Sequence, residues 1–276
     1  MKSGRSPLVL TGLIIIGVLA VVAVFAPLLS PYDPRALAGD SLERPSGRHL
    51  LGTNDVGHDI FSEIIWGTRG SLTVALGAAS LAITLGIVVG VGVGLRGGVA
   101  DAVAMRMVDV FLALPRLPLV VLIAALAGPS RGVLVLVIGA ILWPVSARVL
   151  RSQTLTLRRR GFVEAANGFG GGVTYVVRKH LMPALGPIIA ANFVNVAAIA
   201  VVMEAGLAFL GLGDPSAVSW GAILNRALRH QGLYFSPLWT WWVLPAGLAI
   251  SAAMMGFTLL GVGLEPRFNP RWSRAQ

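Results

Sequence analysis

Long stretches of this chain carry no charged side chain. Counting histidine as neutral, such runs cover residues 6–32, 70–95, 181–203 and 230–264. Each exceeds the roughly 20 apolar residues with which an α-helix crosses a bilayer. Two shorter runs, 117–130 and 132–147, are borderline alone. The pattern predicts six membrane helices, near 8–29, 71–95, 107–127, 132–150, 187–212 and 239–264, in one all-α integral membrane domain over 1–276. The first apolar core is longer than the roughly 7–15 residues of a signal-peptide core, which predicts an uncleaved helix. The third helix is interrupted by Asp109 and Arg116, seven residues apart. That spacing is two turns along one face, which should meet protein or water.

Between these helices the polar segments differ. Residues 30–70 form a loop rich in turn signals. Its end, 60–66, has the apolar spacing of an amphipathic helix lying at the membrane interface. Trp239, Trp241 and Trp242 read as an aromatic belt at the start of the last helix. Residues 151–186 are too long for a plain connection and mark a functional loop. In it, 174–180 can form a short helix that Pro183 and Pro187 should end.

Charge adds orientation. With both termini in the cytoplasm, the inner segments hold the entire formal net charge of +10, while acids and bases balance outside. This is the positive-inside pattern of a multi-pass protein of the cytoplasmic membrane. It makes nucleic-acid binding unnecessary as an explanation of the basic charge. Mean hydropathy is +0.79 and charged residues are 12% of the chain, far from a soluble composition. The absence of cysteine excludes thiolate chemistry, and the four histidines are scattered without metal-ligand spacing. There is no GxxxxGK[ST] phosphate loop and no catalytic constellation. The chain should bind no cofactor and be no enzyme by itself.

The loop 151–186 holds Glu164-Ala165-Ala166, then Gly170, His180 and Pro183, flanked by arginines. Small residues and glycines permit close backbone approach by a partner, and an acid near a helix start suits the dipole. These residues resemble the EAA loop of binding-protein-dependent ABC importer permeases. Three further blocks resemble the second-permease (C-type) subgroup of the peptide and nickel systems. One runs from His49 and Gly52 through Asp59 to Arg69, one from Met105 to Pro115, and one from Glu204 and Phe209 to Trp220. Asn54, His58 and Glu63 depart from the subgroup's usual Asp, Arg and Arg, and Glu265-Pro266 departs from its usual C-terminal block.

The resemblance implies a type I permease fold of six transmembrane helices with a cytoplasmic coupling helix. It implies a homologous second permease, two ATP-binding cassette subunits that hold ATP and Mg, and an extracytoplasmic substrate-binding protein. Glu164, Ala165, Ala166, Gly170, His180 and Pro183 are then the ATPase-coupling residues. Glu204, Arg116 and Asp109 are candidates for the translocation path or gate, with a structural Glu204–Arg116 pair as the alternative. His49, Asp59, Arg69 and Trp220 are expected to build the outer loop and support the docked binding protein. The implied cargo is a di- or oligopeptide; the alternatives are nickel or a metal chelate, or an ATPase-independent secondary transporter, for which no inverted repeat is visible.

Overall fold

A backbone in lipid must satisfy its own hydrogen bonds, and the helix does so locally. The computed structural model describes residues 7–168 and 170–264, and these are helical apart from connecting loops and one isolated bridge between Thr53 and Asp59. In chain order the main helices are α1 (Pro7–Val24), α2 (Ile60–Arg96), α3 (Gly98–Ala113), α4 (Arg116–Ala127), α5 (Arg131–Arg158), α6 (Gly161–Gly168), α7 (Val173–Phe209), α8 (Trp220–Arg229) and α9 (Leu238–Leu264). Of these, α1, α2, α5, α7 and α9 are each long and apolar enough to cross a membrane. The pair α3 and α4 is the sixth apolar element.

The core lies where α2 packs along α5 and α7, with α9 against α7 and α1 outermost on α9. Small residues permit this: Ala75, Ala78, Ala79 and Ala82 of α2 are fully buried. Close helix approach through small residues replaces the hydrophobic drive that lipid cannot supply. At the α1–α9 contact a Cβ on Gly12 would sit 2.8 Å from the Gly256 carbonyl oxygen. Val9 and Gly12 of α1 are buried and Ile16, Leu19 and Ala23 pack against the core, whereas Leu10, Leu13, Ile14, Val18 and Val21 face outward, as a lipid-exposed helix requires.

Several expected boundaries move. The first helix stops at Val24, because Pro27 cannot continue its hydrogen-bond ladder; a separate turn, Ala26–Leu29, follows. Residues 60–66 do not lie apart at the interface. They are the first turns of α2, continuous with the predicted second span. The third span is not straight: α3 and α4 meet at 89°. Pro115 pushes Leu114 to ψ 141°, out of the helical region. Asp109 and Arg116 therefore lie on different helices rather than on one face. Residues 174–180 do not form a separate helix ended by prolines. They run into α7 through a π-helical turn, Val177–Leu181, and Pro183 lies just after that turn inside the continuous helix. The tryptophans do not form a uniform belt. Trp239 is half exposed, but Trp242 is fully buried against Ile60, Ile223 and Leu238.

Residues 30–59 fold over the end of the bundle that carries α8. Asp59 caps α2: its Oδ2 accepts from the Ser62 N–H at 2.8 Å and the Ser62 hydroxyl at 2.7 Å. Its Oδ1 lies 2.9 Å from His49 Nδ1, and both side chains are buried. Asp59→Ala should therefore lower stability by about 2–3 kcal/mol, combining a lost cap with an orphaned buried ring. Thermal unfolding in detergent reads this, and Asp59→Asn should recover part of the loss.

Candidate functional site

At the end of the bundle opposite α8, the short helix α6 lies across the ends of α2 and α5. Val163, Val176 and Leu181 are buried there in a small apolar cluster with Leu95 and Leu157. That cluster anchors one face of α6 and leaves the other outward. Ala165 is exposed and Ala166 half-buried. Glu164 lies on this helix, and its side chain falls outside the described part of the structure.

The end of α6 explains its glycines. Gly170 has φ +82°, the left-handed region, and the Gly171 N–H donates to the Ala166 carbonyl at 2.9 Å. This is the Schellman closure, in which glycine sits just past the helix and the next N–H reaches back five residues. A side chain at Gly170 would cost about 1–2 kcal/mol in backbone strain. Beyond the turn, Phe162, Ala166, Gly170, Tyr175 and His180 line an open dish of about 560 Å³. The His180 ring meets Tyr175 edge-on at 5.6 Å and Phe162 at 6.0 Å. Phe162 and Tyr175 are about half exposed. Exposed aromatics around a concave surface mark a place for a partner. Neither was among the expected site residues; an aromatic in a basic, glycine-rich loop was the available signal. Pro183 is exposed at the start of the regular part of α7, behind the dish.

Glu204 sits near the other end of α7, 1% exposed. Its polar neighbours are the hydroxyls of Ser71 and Ser219 and the guanidinium of Arg131, not Arg116. Arg116 is exposed at the first position of α4, so the expected Glu204–Arg116 pair does not form. Glu204 Oε2 has no hydrogen-bond partner among the described residues. It borders a crevice of about 10 Å³, room for about one water. Asp109 instead pairs with Arg148 of α5, both about half exposed. A less exposed pair, Arg151 to Asp101 at 2.6 Å through Nε, ties α3 to α5 beside it.

Of the loop residues, His49, Asp59 and Trp220 are buried and hold the α8 end together from inside, whereas Arg69 is exposed with its guanidinium 5.7 Å from the Trp66 ring centre. The three departures in this region share one network. Glu63 accepts from Arg226 at 2.7 Å and from Asn54 at 3.2 Å, with His58 Nδ1 3.7 Å away. Burial, and then the Arg226 charge, hold the His58 ring below its ordinary pKa. A neutral ring beside Arg226 avoids repulsion between two neighbouring cations. Glu265 and Pro266, the fourth departure, lie outside the described residues.

Residues 82–274 match the family described as binding-protein-dependent transport system inner membrane component. Residues 4–45 match the N-terminal TM domain of oligopeptide transport permease C. Among similar proteins, a putative peptide permease protein of Brucella suis is 36% identical over 262 residues, 94% of this chain and 86% of that protein. A probable D,D-dipeptide transport system permease protein of Escherichia coli is 33% identical over 270 residues, covering 96% and 88%. A dipeptide transport system permease protein of Bacillus subtilis is 34% identical over 276 residues, covering 98% and 84%.

Proposed function

The chain belongs to the family of binding-protein-dependent transport system inner membrane components, and from that footing we propose that it is one membrane subunit of an ATP-driven importer of short peptides. The peptide cargo is supported by the names of relatives that align over nearly the whole chain. A second, homologous permease completes the path. Two ATP-hydrolysing subunits bind on the cytoplasmic side and a binding protein delivers cargo on the other. The charge asymmetry supports cytoplasmic termini and a cytoplasmic α6.

The observation that carries the coupling reading is the α6 end of the bundle. It offers a short helix anchored on one face, ended by a glycine closure, beside an exposed aromatic dish. An ATP-hydrolysing partner that grips α6 moves it as a unit, because Val163 ties it to the ends of α2 and α5. Glu164, Ala165, Ala166 and Gly170 supply the gripped surface, His180 the wall of the dish, and Pro183 the start of the helix that receives the motion. Glu204, at the other end of α7, stands on the wall of the path. Asp109 and Arg116 flank the bend of α3 and α4. Arg69 faces the docked binding protein, supported from beneath by His49, Asp59 and Trp220.

Capture of this chain should bring down its ATPase subunits, and the double change Glu164→Arg with Gly170→Trp should release them. Peptide transport that survived that double change unaltered would sink the coupling reading.

A further inference from the structure

Two cavities meet at the α8 end. The wider, of about 400 Å³, is bordered by Asp33, Arg35, Trp66, Arg69 and Arg131. The crevice holding Glu204 shares Gly70, Arg131 and Val218 with it. Charge is unevenly spread along this continuous wall. Arg131 reaches Asp214 only at 3.9 Å, and neither Arg35 nor Arg69 forms an ion pair among the described residues. Asp33 is already engaged, accepting from the Arg35 backbone N–H at 2.8 Å. The Arg69 guanidinium carbon lies over the Trp66 ring, 5.7 Å from its centre, and its N–H groups make no hydrogen bond among the described residues, so its fork suits a planar two-oxygen acceptor. A carboxylate fits such a fork and gains charge-assisted hydrogen bonds there.

The narrow side has the opposite need. Glu204 Oε2 is buried and unpartnered, and a buried polar atom without a partner is costly. The crevice beside it admits a group about the size of one water. An ammonium has that size and carries the donors that Oε2 lacks.

We propose that this vestibule is a transit site for a short peptide with both ends free. The arginines take its C-terminal carboxylate, and Glu204 takes its N-terminal ammonium. The wider cavity lies within the roughly 300–1,000 Å³ of small-molecule sites, enough for a di- or tripeptide. Selection then acts on the two ends and not on the side chains between them. This inference rests on the peptide-import reading and adds the groups that recognise the cargo.

The test is equilibrium binding to the complete permease–ATPase complex in nanodiscs, without binding protein. The probes are radiolabelled Ala-Phe, its C-terminal amide and its N-acetyl form. Each blocked form should bind about tenfold more weakly than the free dipeptide, the size of one lost charged hydrogen bond. Arg69→Gln should weaken the free dipeptide about tenfold and make it indistinguishable from the amide, with partial recovery in Arg69→Lys. Glu204→Gln should erase discrimination against the N-acetyl form alone. Equal binding of all three probes to the wild type, or no saturable binding, overturns the proposal. Equal weakening of all three by either variant, with the ATPases still bound, assigns the residue to structure and also overturns it. So does an Arg69→Gln effect confined to docking of the binding protein. Uptake of Ala-Phe by proteoliposomes holding the whole system separates the two readings. Import without end discrimination removes only the vestibule, whereas no import of any peptide removes peptide transport itself.

Discussion

Ala165→Arg should cut peptide uptake by the assembled transporter at least about a hundredfold while the chain still accumulates in the membrane. Ala165 is exposed on α6, so a longer side chain there disturbs no core contact of this chain. The damage falls on the partner surface. A charge forced unpaired into a buried interface costs about 3–5 kcal/mol, and each 1.4 kcal/mol is about a factor of ten in affinity. Ala165→Ser, still small, should stay within about twofold of the wild type. Labelled-dipeptide uptake and co-purification of the ATPases read both variants together. Normal uptake by Ala165→Arg would remove α6 from the coupling surface, and lost uptake with ATPases still bound would place the defect after docking.

Trp220→Ala should be the most destabilising single change at the α8 end. The ring is fully buried, and its Nε1–H donates to the Ile64 carbonyl at 3.2 Å. A Cβ on Gly67 would sit 2.9 Å from its Cδ1, so the ring fills the space that glycine leaves. The Trp220 backbone N–H also donates to Ser71 at 3.2 Å, beside Glu204. Emptying a site of this size costs about 3–5 kcal/mol. At roughly 2–4 °C per kcal/mol for a chain of this size class, the unfolding midpoint should fall by about 10 °C. Trp239→Ala, at a half-exposed position, should change it little. Equal shifts for the two would show that Trp220 is not the keystone of that lobe.

The apolar helices and the short helix bearing Ala165 were legible because both rest on local signals. Length without charge marks a span, and the run from Glu164 to Gly170 is contiguous. Breaks within helices were less so. Leu114-Pro115 carries a visible signal for the bend, yet the apolar run on either side reads as one span; only packing against α5 decides its course. Pro183 misled in the opposite direction, since a proline tolerated just after a π turn and one that ends a helix look alike in sequence. The partners of Glu204 could not be read at all. Ser71, Arg131 and Ser219 come from three distant segments and meet only through the packing of α2, α5 and α7. The aromatic dish had a weak signal in Phe162 and Tyr175, but its concavity depends on the glycine closure at Gly170. Asn54, His58 and Glu63 looked like three separate departures and turn out to surround one arginine, Arg226, from a helix some 160 residues further along.

The continuity of α7 sets how far a small movement is carried. Val173 to Phe209 is one continuous helical run of 37 residues, carried through its π turn and its inner prolines, Pro183 and Pro187. At 1.5 Å per residue, about 40 Å of it separate the Tyr175 and His180 wall of the aromatic dish from Glu204. One degree of tilt pivoting at the dish sweeps Glu204 sideways by about 0.7 Å by the same geometry. A turn of four degrees then displaces the carboxylate by about 3 Å, roughly the length of a hydrogen bond. Gearing of this kind would let a slight stroke at the α6 end make or break a contact at the α8 end.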